Sequence, residues 1–212
     1  MLEYILDGGW IMFPLVVLSV VSLGIIIDRW RVLVKAREAT DLVRRALNVR
    51  IVENDLSGAI DACQQSSSPL AAVALTGLNK YRQMLLKKRD PVEMESLVSK
   101  LMEDYTPQAL AVLEKRFNLL MLVASVSPML GMLGTVVGMI DSFDTISVKG
   151  ALDPSAVGGG ISTALLTTAA GLMVAVPALI AYNLFCRKVD DYTLGIEQMM
   201  GEVVTFISDR SS

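Results

Sequence analysis

Three long runs of this 212-residue chain contain no Asp, Glu, Lys or Arg. They cover residues 10–27, 117–140 and 154–186, although 19% of the whole chain is charged. A helix needs about 20 apolar residues to cross the hydrocarbon core of a bilayer, with a range of roughly 17–25. The second and third runs meet this length, and the first lies at its short end. The sequence therefore predicts an all-α integral membrane protein with three transmembrane helices.

The first run does not have the features of a cleaved signal peptide, which carries a positive N-terminal region and a small-residue cleavage site. The residues before it include Glu3 and Asp7 and no Lys or Arg, and the run ends at Asp28-Arg29-Trp30-Arg31. We therefore expect it to be retained as a membrane helix.

The orientation follows from Lys and Arg, which accumulate near the cytoplasmic ends of membrane helices. They follow the first run, precede the second and follow the third, whereas the segment between the second and third holds Lys149 and three aspartates. The chain is thus predicted to consist of an outer N-terminus with the first transmembrane helix (1–28), a cytoplasmic helical domain (29–116), the second transmembrane helix (117–140), a short outer loop (141–158), the third transmembrane helix (159–186) and a cytoplasmic amphipathic tail (187–212).

Helical periodicity continues outside the charge-free runs. We expect the first helix to extend to about Val49 and residues 54–90 to form two shorter helices separated by Ser66-Ser67-Ser68-Pro69. Asp90-Pro91-Val92-Glu93 is typical of a helix start, and the pattern then continues through Pro107 into the second membrane run. These extensions predict a cytoplasmic helical bundle, completed by the apolar face of the tail: Val189, Tyr192, Ile196, Met199, Val203 and Ile207.

The chain lacks the residues that most enzymes need. Without His there is no Ser-His-Asp triad and no zincin motif, and no G-x-x-x-x-G-K-[ST] sequence is present. Cys63 and Cys186 fall in a predicted reducing compartment, so both should be free thiols. We expect no catalytic residue, no metal, no cofactor and no nucleic-acid partner.

Small residues form a stripe on each of the last two membrane helices. Because lipid gives no hydrophobic drive for helix association, such stripes allow close backbone packing. Their spacing of three and four places the members of each stripe on one face. The predicted packing residues are Ser127, Gly131, Gly134 and Gly138 on the second helix, and Gly160, Ala164, Gly171, Ala175 and Ala178 on the third.

Hydroxyl groups also occur inside these spans, at Thr135, Thr163, Thr167 and Thr168. Each could bond to a carbonyl of its own helix, or some could line a polar path. Pro128 and Pro177 interrupt the backbone ladders and are predicted to kink the helices, which frees carbonyls for such a lining. No carboxylate lies in the core of any span, so a partner must bring the titrating group if the chain conducts protons.

Two segments, Gly131–Ile140 and Gly160–Asn183, resemble the sequence motifs of the ExbB/TolQ proton-channel family, relatives of the flagellar stator MotA. Gly8-Gly9, Pro14 and Asp28-Arg29 are similar to the family's first helix. The resemblance implies a homo-oligomeric ring of five chains in the inner membrane of a Gram-negative bacterium. The N-terminus is then periplasmic and the C-terminus cytoplasmic.

The same resemblance implies two kinds of partner. The ring would enclose the single-pass helices of an ExbD/TolR-like dimer, which supplies the proton-binding Asp, and proton flow would energise a TonB-like or TolA-like protein. By motif match, Thr135 and Thr168 take the positions of the family's pore-facing threonines. Thr163 stands where the best-known ExbB-type members have a Glu, which puts a channel-borne carboxylate in doubt.

The sequence leaves several functions open. An ExbB-like role in outer-membrane transport, a TolQ-like role in envelope maintenance and a motility stator share these motifs, and neighbouring genes would separate them. A membrane scaffold without ion flux is the alternative from another class.

Overall fold

The computed structural model describes residues 9–86, 91–149 and 154–211. These residues form six helices and include no β-strand, which confirms the predicted all-α fold class. The helices are α1 (Met12–Val52), α2 (Leu56–Gln64), α3 (Pro69–Leu86), α4 (Pro91–Glu114), α5 (Phe117–Lys149) and α6 (Pro154–Ser211). Three of them, α1, α5 and α6, contain segments long and apolar enough to cross a membrane. The ring, the cytoplasmic bundle and the membrane boundaries stay predictions.

The described chain divides into two compact units. The first, which we call the apolar unit, combines the residues up to Asp28 with Arg116–Leu184 and so contains nearly all of the three charge-free runs. The second, the amphipathic unit, combines Arg29–Lys115 with the residues from Phe185 onward. Helices α1 and α6 each contribute residues to both units.

The helices of the amphipathic unit begin and end largely where the sequence predicted. Helix α1 continues to Val52, and the break between α2 and α3 falls at the serine cluster. Asp55 caps α2 by accepting a hydrogen bond of 2.9 Å from the Gly58 amide. Helix α4 begins at Pro91 as expected, whereas the proposed cap Asp90 lies outside the described residues.

The predicted apolar face of the tail lies in the core of the amphipathic unit. Tyr192 is half-buried, and its hydroxyl donates a hydrogen bond of 2.8 Å to the carbonyl of Leu33 on α1. Tyr81 of α3 meets the Phe206 ring edge-on, with the centroids 6.5 Å apart. The other residues of the predicted face are all buried: Val189, Ile196, Met199, Val203 and Ile207.

The predicted continuous helix through Pro107 into the second membrane run is interrupted. Pro107 is accommodated within α4, but α4 ends at Glu114 and α5 begins at Phe117. Arg116 between them has a φ of 71°, a left-handed conformation that disfavours any residue with a Cβ. Its side chain pairs with Asp28 at 3.0 Å, and the next residue, Phe117, is buried against Tyr182. Tertiary contacts therefore set this break, and no local Gly or Pro indicates it.

Helix α5 is longer than the predicted membrane span. It continues to Lys149, and α6 begins at Pro154, so the described residues of the expected loop 141–158 are helical. Helix ends and membrane surfaces need not coincide, because a membrane helix can extend into water on either side.

Both cysteines are free thiols, and Cys63 lies buried on α2. Burial raises the pKa of the Cys63 thiol from 9.0 to about 12, because the apolar surroundings disfavour the thiolate. The thiolate is the form that attacks thiol reagents, so both the raised pKa and the burial should strongly slow the reaction of folded Cys63 at pH 8.

A Cys186→Ser variant isolates this thiol. We expect Cys63 to resist a maleimide reagent in the folded protein at pH 8 and to react promptly once the protein is unfolded in denaturant. Rapid labelling of the folded variant would contradict the buried position.

Candidate functional site

In the apolar unit, α5 and α6 pack through their small residues. Ser127 lies opposite Gly171, Gly131 opposite Thr168, and Gly138 opposite Gly160, so the two helices run antiparallel. Eight of the nine predicted packing residues are buried, and Gly160 is half-buried. The buried ones are Ser127, Gly131, Gly134, Gly138, Ala164, Gly171, Ala175 and Ala178.

The contact is close enough to leave no room for side chains at the glycines. A Cβ added to Gly171 would lie 2.5 Å from the carbonyl oxygen of Ser127 and 3.2 Å from the Cα of Gly131. One added to Gly131 would lie 3.0 Å from the Cα of Thr168. These neighbours are backbone atoms, which cannot rotate away. The two glycines therefore set the distance between the helices.

Thr135 and Thr168 donate hydrogen bonds to consecutive carbonyls of α5. The Thr168 hydroxyl crosses from α6 and donates to the Gly131 carbonyl at 3.0 Å. The Thr135 hydroxyl donates to the Met132 carbonyl of its own helix at 2.6 Å. Both threonines are half-buried in the single chain. The structure thus brings the two predicted threonines to neighbouring points on α5, one through an interhelical bond and one through a local bond.

The other two threonines differ from this pair. Thr167 is fully buried, packs against Gly134, and donates to the Ala164 carbonyl at 2.8 Å. Its hydroxyl therefore belongs to the helix contact. Thr163 is half-buried one turn away, and its carbonyl accepts a second, longer bond of 3.2 Å from the Thr167 hydroxyl.

Ser142 was missed by the sequence reasoning. It is buried at the end of the α5 stripe, contacts Gly160 and donates to the Gly138 carbonyl at 2.8 Å. Its position four residues after Gly138 continues the spacing of the stripe and could have identified it.

The two prolines lie within continuous helices. Pro128 is half-buried on α5 and Pro177 is exposed on α6. Because proline has no amide hydrogen, each leaves the carbonyl four residues earlier without its helical partner. Those carbonyls belong to Ala124 and Met173.

The surroundings of the threonine pair contain no charged side chain within the spans. Asp141 and Asp144 lie toward one end of α5, and the Asp28–Arg116 ion pair lies at the other. Among the described residues, no cluster of His, Cys, Asp or Glu could hold a metal ion. What the arrangement offers chemically is a set of hydroxyls and carbonyls in an apolar wall.

Ser127 carries a buried hydroxyl with no hydrogen-bond partner among the described residues. An unpaired buried polar group costs about 1–3 kcal/mol. Ser127→Ala should therefore raise the thermal unfolding midpoint of the detergent-solubilised protein. Ser142→Ala is the matched control, because it removes a hydroxyl that is bonded and should lower the midpoint. An equal loss of stability in both variants would show that the Ser127 hydroxyl is paired in the membrane protein.

Comparison with known proteins agrees with the resemblance. The model of the MotA/TolQ/ExbB proton channel family matches residues 65–198. The biopolymer transport protein ExbB of Neisseria meningitidis is 26% identical over 203 residues, which cover 93% of this chain and 91% of the relative. An ExbB-like biopolymer transport protein of Synechocystis is 34% identical over 185 residues, which cover 84% of this chain and 81% of the relative.

A third relative matches over a shorter region at higher identity. The biopolymer transport protein ExbB of Aquifex aeolicus is 41% identical over 90 residues, which cover 42% of this chain and 61% of the relative. The family match extends over more than half of the sequence, and the three long apolar helices are those of a membrane protein. This chain is therefore a membrane protein of the MotA/TolQ/ExbB proton channel family.

Proposed function

We propose that the chain is the proton-channel subunit of an ExbB–ExbD-type complex in the inner membrane, with a periplasmic N-terminus and a cytoplasmic C-terminus. The complex uses the proton motive force to energise a TonB-like protein for outer-membrane transport. The observation that carries this proposal is the threonine pair, in which two hydroxyls meet consecutive carbonyls inside a charge-free helix pair. The ExbB names of relatives that match most of the chain support it.

The proton carrier must come from a partner. Hydroxyls do not ionise near neutral pH, and the three spans hold no carboxylate. A bare proton would meet a large desolvation barrier in such a wall. An ExbD/TolR-like single-pass helix with an Asp at the depth of Thr135 and Thr168 supplies the missing group. Thr163 and the carbonyls freed by Pro128 and Pro177 complete the polar lining.

The ring of five chains is what the family resemblance implies, and the α5–α6 wall is compatible with it. A single α5–α6 pair offers one wall, and several walls are needed to enclose a partner helix. A homopentamer in the bilayer, with α5 and α6 around a central pore and the membrane part of α1 outside, provides them. Its wide apolar outer face would contact lipid.

A TolQ-like subunit is the second candidate, with the same site and a TolA-like protein as the energised partner. Family membership alone supports it and the motility role equally. A scaffold without ion flux is disfavoured by the hydroxyl pair, because apolar side chains would insert into the bilayer more favourably.

Proton flux in liposomes tests the proposal. The purified chain alone, the chain with its ExbD-like partner, and the chain with a partner whose membrane Asp is changed to Asn are reconstituted at equal density. Native mass spectrometry in mild detergent reports the assembly state of each preparation. We expect a closed homo-oligomer, low flux without partner, and flux that depends on the partner's Asp. A monomer at all concentrations, or equal flux in all three preparations, would refute the proposal.

A further inference from the structure

We propose that the break between α4 and α5 is a two-state joint. In one state the backbone turns at Arg116, as in the structure, and in the other α4 and α5 form one continuous helix. Asp28 and Arg29, two neighbouring residues of α1, hold the broken state. The inference concerns this chain alone and does not rest on the proposed function.

The sequence at the break favours an unbroken helix. Residues 110–120 read Leu-Ala-Val-Leu-Glu-Lys-Arg-Phe-Asn-Leu-Leu and contain neither Gly nor Pro. Leu, Ala, Glu, Lys and Arg are all strong helix formers. The buried residues Leu113, Phe117 and Leu120 follow one another at spacings of four and three, so the helical pattern continues through the break. Local preference therefore opposes the conformation that the structure shows.

The broken state also carries an unfavourable backbone conformation. Arg116 has a φ of 71°, which brings its Cβ close to the following carbonyl oxygen, and only glycine adopts this region readily. A break leaves the last carbonyls of α4 and the first amides of α5 without their helical partners. In a continuous helix the amides of Phe117 and Asn118 would donate to the carbonyls of Leu113 and Glu114.

Two contacts with α1 offset these costs. Arg29 is only 6% exposed and donates a hydrogen bond of 3.3 Å to the Val112 carbonyl in the last turn of α4, where the helix dipole also favours a cation. Asp28 accepts a hydrogen bond of 3.0 Å from the Arg116 guanidinium. The backbone carbonyl of Arg116 in turn accepts amide hydrogen bonds from the first turn of α5. Adjacent residues of α1 thus hold both sides of the break.

The two states are close in energy, because one of the contacts that hold the break is weak. The side chains of Asp28 and Arg116 are 41% and 47% exposed, and exposed ion pairs contribute little to stability. Phe117 packs edge-on against Tyr182, with the ring centroids 6.4 Å apart. This contact joins α5 to α6 and is compatible with both states, so only the backbone of Lys115 and Arg116 has to change.

Two substitutions at one position separate the backbone preference from the ion pair. Arg116→Ala and Arg116→Gly both remove the pair with Asp28, but alanine favours the helix and glycine tolerates the left-handed turn. We expect Arg116→Ala to form the continuous helix and Arg116→Gly to keep the break. The ratio of continuous to broken chains should differ between them by about thirtyfold or more. Asp28→Asn should raise that ratio by up to about fivefold.

The distance between two spin labels reports the state. In a Cys63→Ala, Cys186→Ser background, labels are placed by Gln108→Cys and Leu122→Cys, at exposed positions that lie between the two prolines. These positions are fourteen residues apart, so a continuous helix separates their Cα atoms by about 21 Å. The wild-type chain gives the distance of the broken state. Hydrogen exchange supplies a second reading, because a continuous helix should protect the amides of residues 117 and 118.

Asp191→Asn is the matched control. It removes another exposed ion pair, with Lys188 at 3.9 Å, inside the unbroken helix α6, and should leave the label distances unchanged. Circular dichroism and thermal unfolding show whether each variant is folded. If a variant at position 116 does not fold, wild-type protein in about 1 M salt replaces it, because screening weakens the exposed pair and should raise the continuous fraction.

A break that persists equally in Arg116→Ala and Arg116→Gly would show that packing alone sets it, and would overturn the joint. A continuous helix in Arg116→Gly would do the same, since glycine should retain the turn. Label distances that change neither in Asp28→Asn nor in high salt would mean that the Asp28 ion pair does not hold the broken state. None of these measurements uses a partner protein or proton flux, so their outcome is independent of the proposed function.

Discussion

Gly171→Val should remove the assembled complex and its proton flux together, the largest effect we expect from a single substitution. Any Cβ at this position lies 2.5 Å from the Ser127 carbonyl oxygen and 3.2 Å from the Gly131 Cα. Overpacking of side chains typically costs about 1–3 kcal/mol. The cost here should be at the upper end or above, because backbone atoms of α5 must move and the Thr168 bond to Gly131 is lost with them.

Gly201→Val provides the matched control for this change. Gly201 lies in the same helix, α6, and no atom outside the neighbouring helical backbone lies within 4 Å of its added Cβ. Both variants exchange glycine for valine in a helix, so the difference between them measures the α5–α6 contact. Size-exclusion chromatography and thermal unfolding in detergent report the result. Equal thermal unfolding midpoints of Gly171→Val and Gly201→Val would mean that α5 and α6 do not pack as described.

Thr135→Val and Thr168→Val should each lower partner-dependent proton flux about tenfold or more while the complex still assembles. Valine nearly matches threonine in size but offers no hydrogen bond to the carboxyl group that the proposed partner brings. Such a loss costs about 1–3 kcal/mol, and each 1.4 kcal/mol in a limiting barrier is about a tenfold change in rate. Flux in liposomes, with the amount of complex measured in the same preparation, tests this.

The two valine variants should differ in stability. Thr168→Val also breaks the bond from α6 to the Gly131 carbonyl and should cost roughly 1 kcal/mol of folding stability. Thr135→Val loses only a bond within α5 and should melt close to the wild type. Wild-type flux in both variants would mean that the hydroxyls support only the helix pair, Thr135 within its own helix and Thr168 through its bond across to α5.

Much of this fold could be predicted from two sequence patterns. Charge-free runs located the apolar segments, and helical periodicity located the extension of α1 and the buried face of the tail, because burial requires a continuous apolar face. The break at Arg116 could not be predicted, since its left-handed backbone depends on tertiary contacts such as the Asp28 ion pair. The sequence there contains no Gly or Pro to indicate it.

The small-residue contact between α5 and α6 was predictable except for Ser142, whereas the hydrogen bonds of the threonines were not. The stripe of Gly131, Gly134 and Gly138 follows from spacing alone. Thr167 and Thr168 are neighbours in sequence, yet one packs into the helix contact and the other bonds across it. Which threonine takes which place depends on the rotation and register of α6 against α5, and a residue pattern does not contain either quantity.

The glycine contact between α5 and α6 also restricts how the channel can move. Backbone meets backbone at Gly171, Gly131 and Gly138, and the Thr167 side chain fills the space beside Gly134. Sliding by one residue would therefore drive a side chain into the space now held by a glycine. We therefore expect α5 and α6 to move together as one rigid unit during proton transport. Spin labels on exposed sites of both helices should keep one distance distribution at every pH. In the proposed ring, proton flow would then have to move neighbouring α5–α6 pairs relative to one another, or relative to the partner helix that the ring is proposed to enclose.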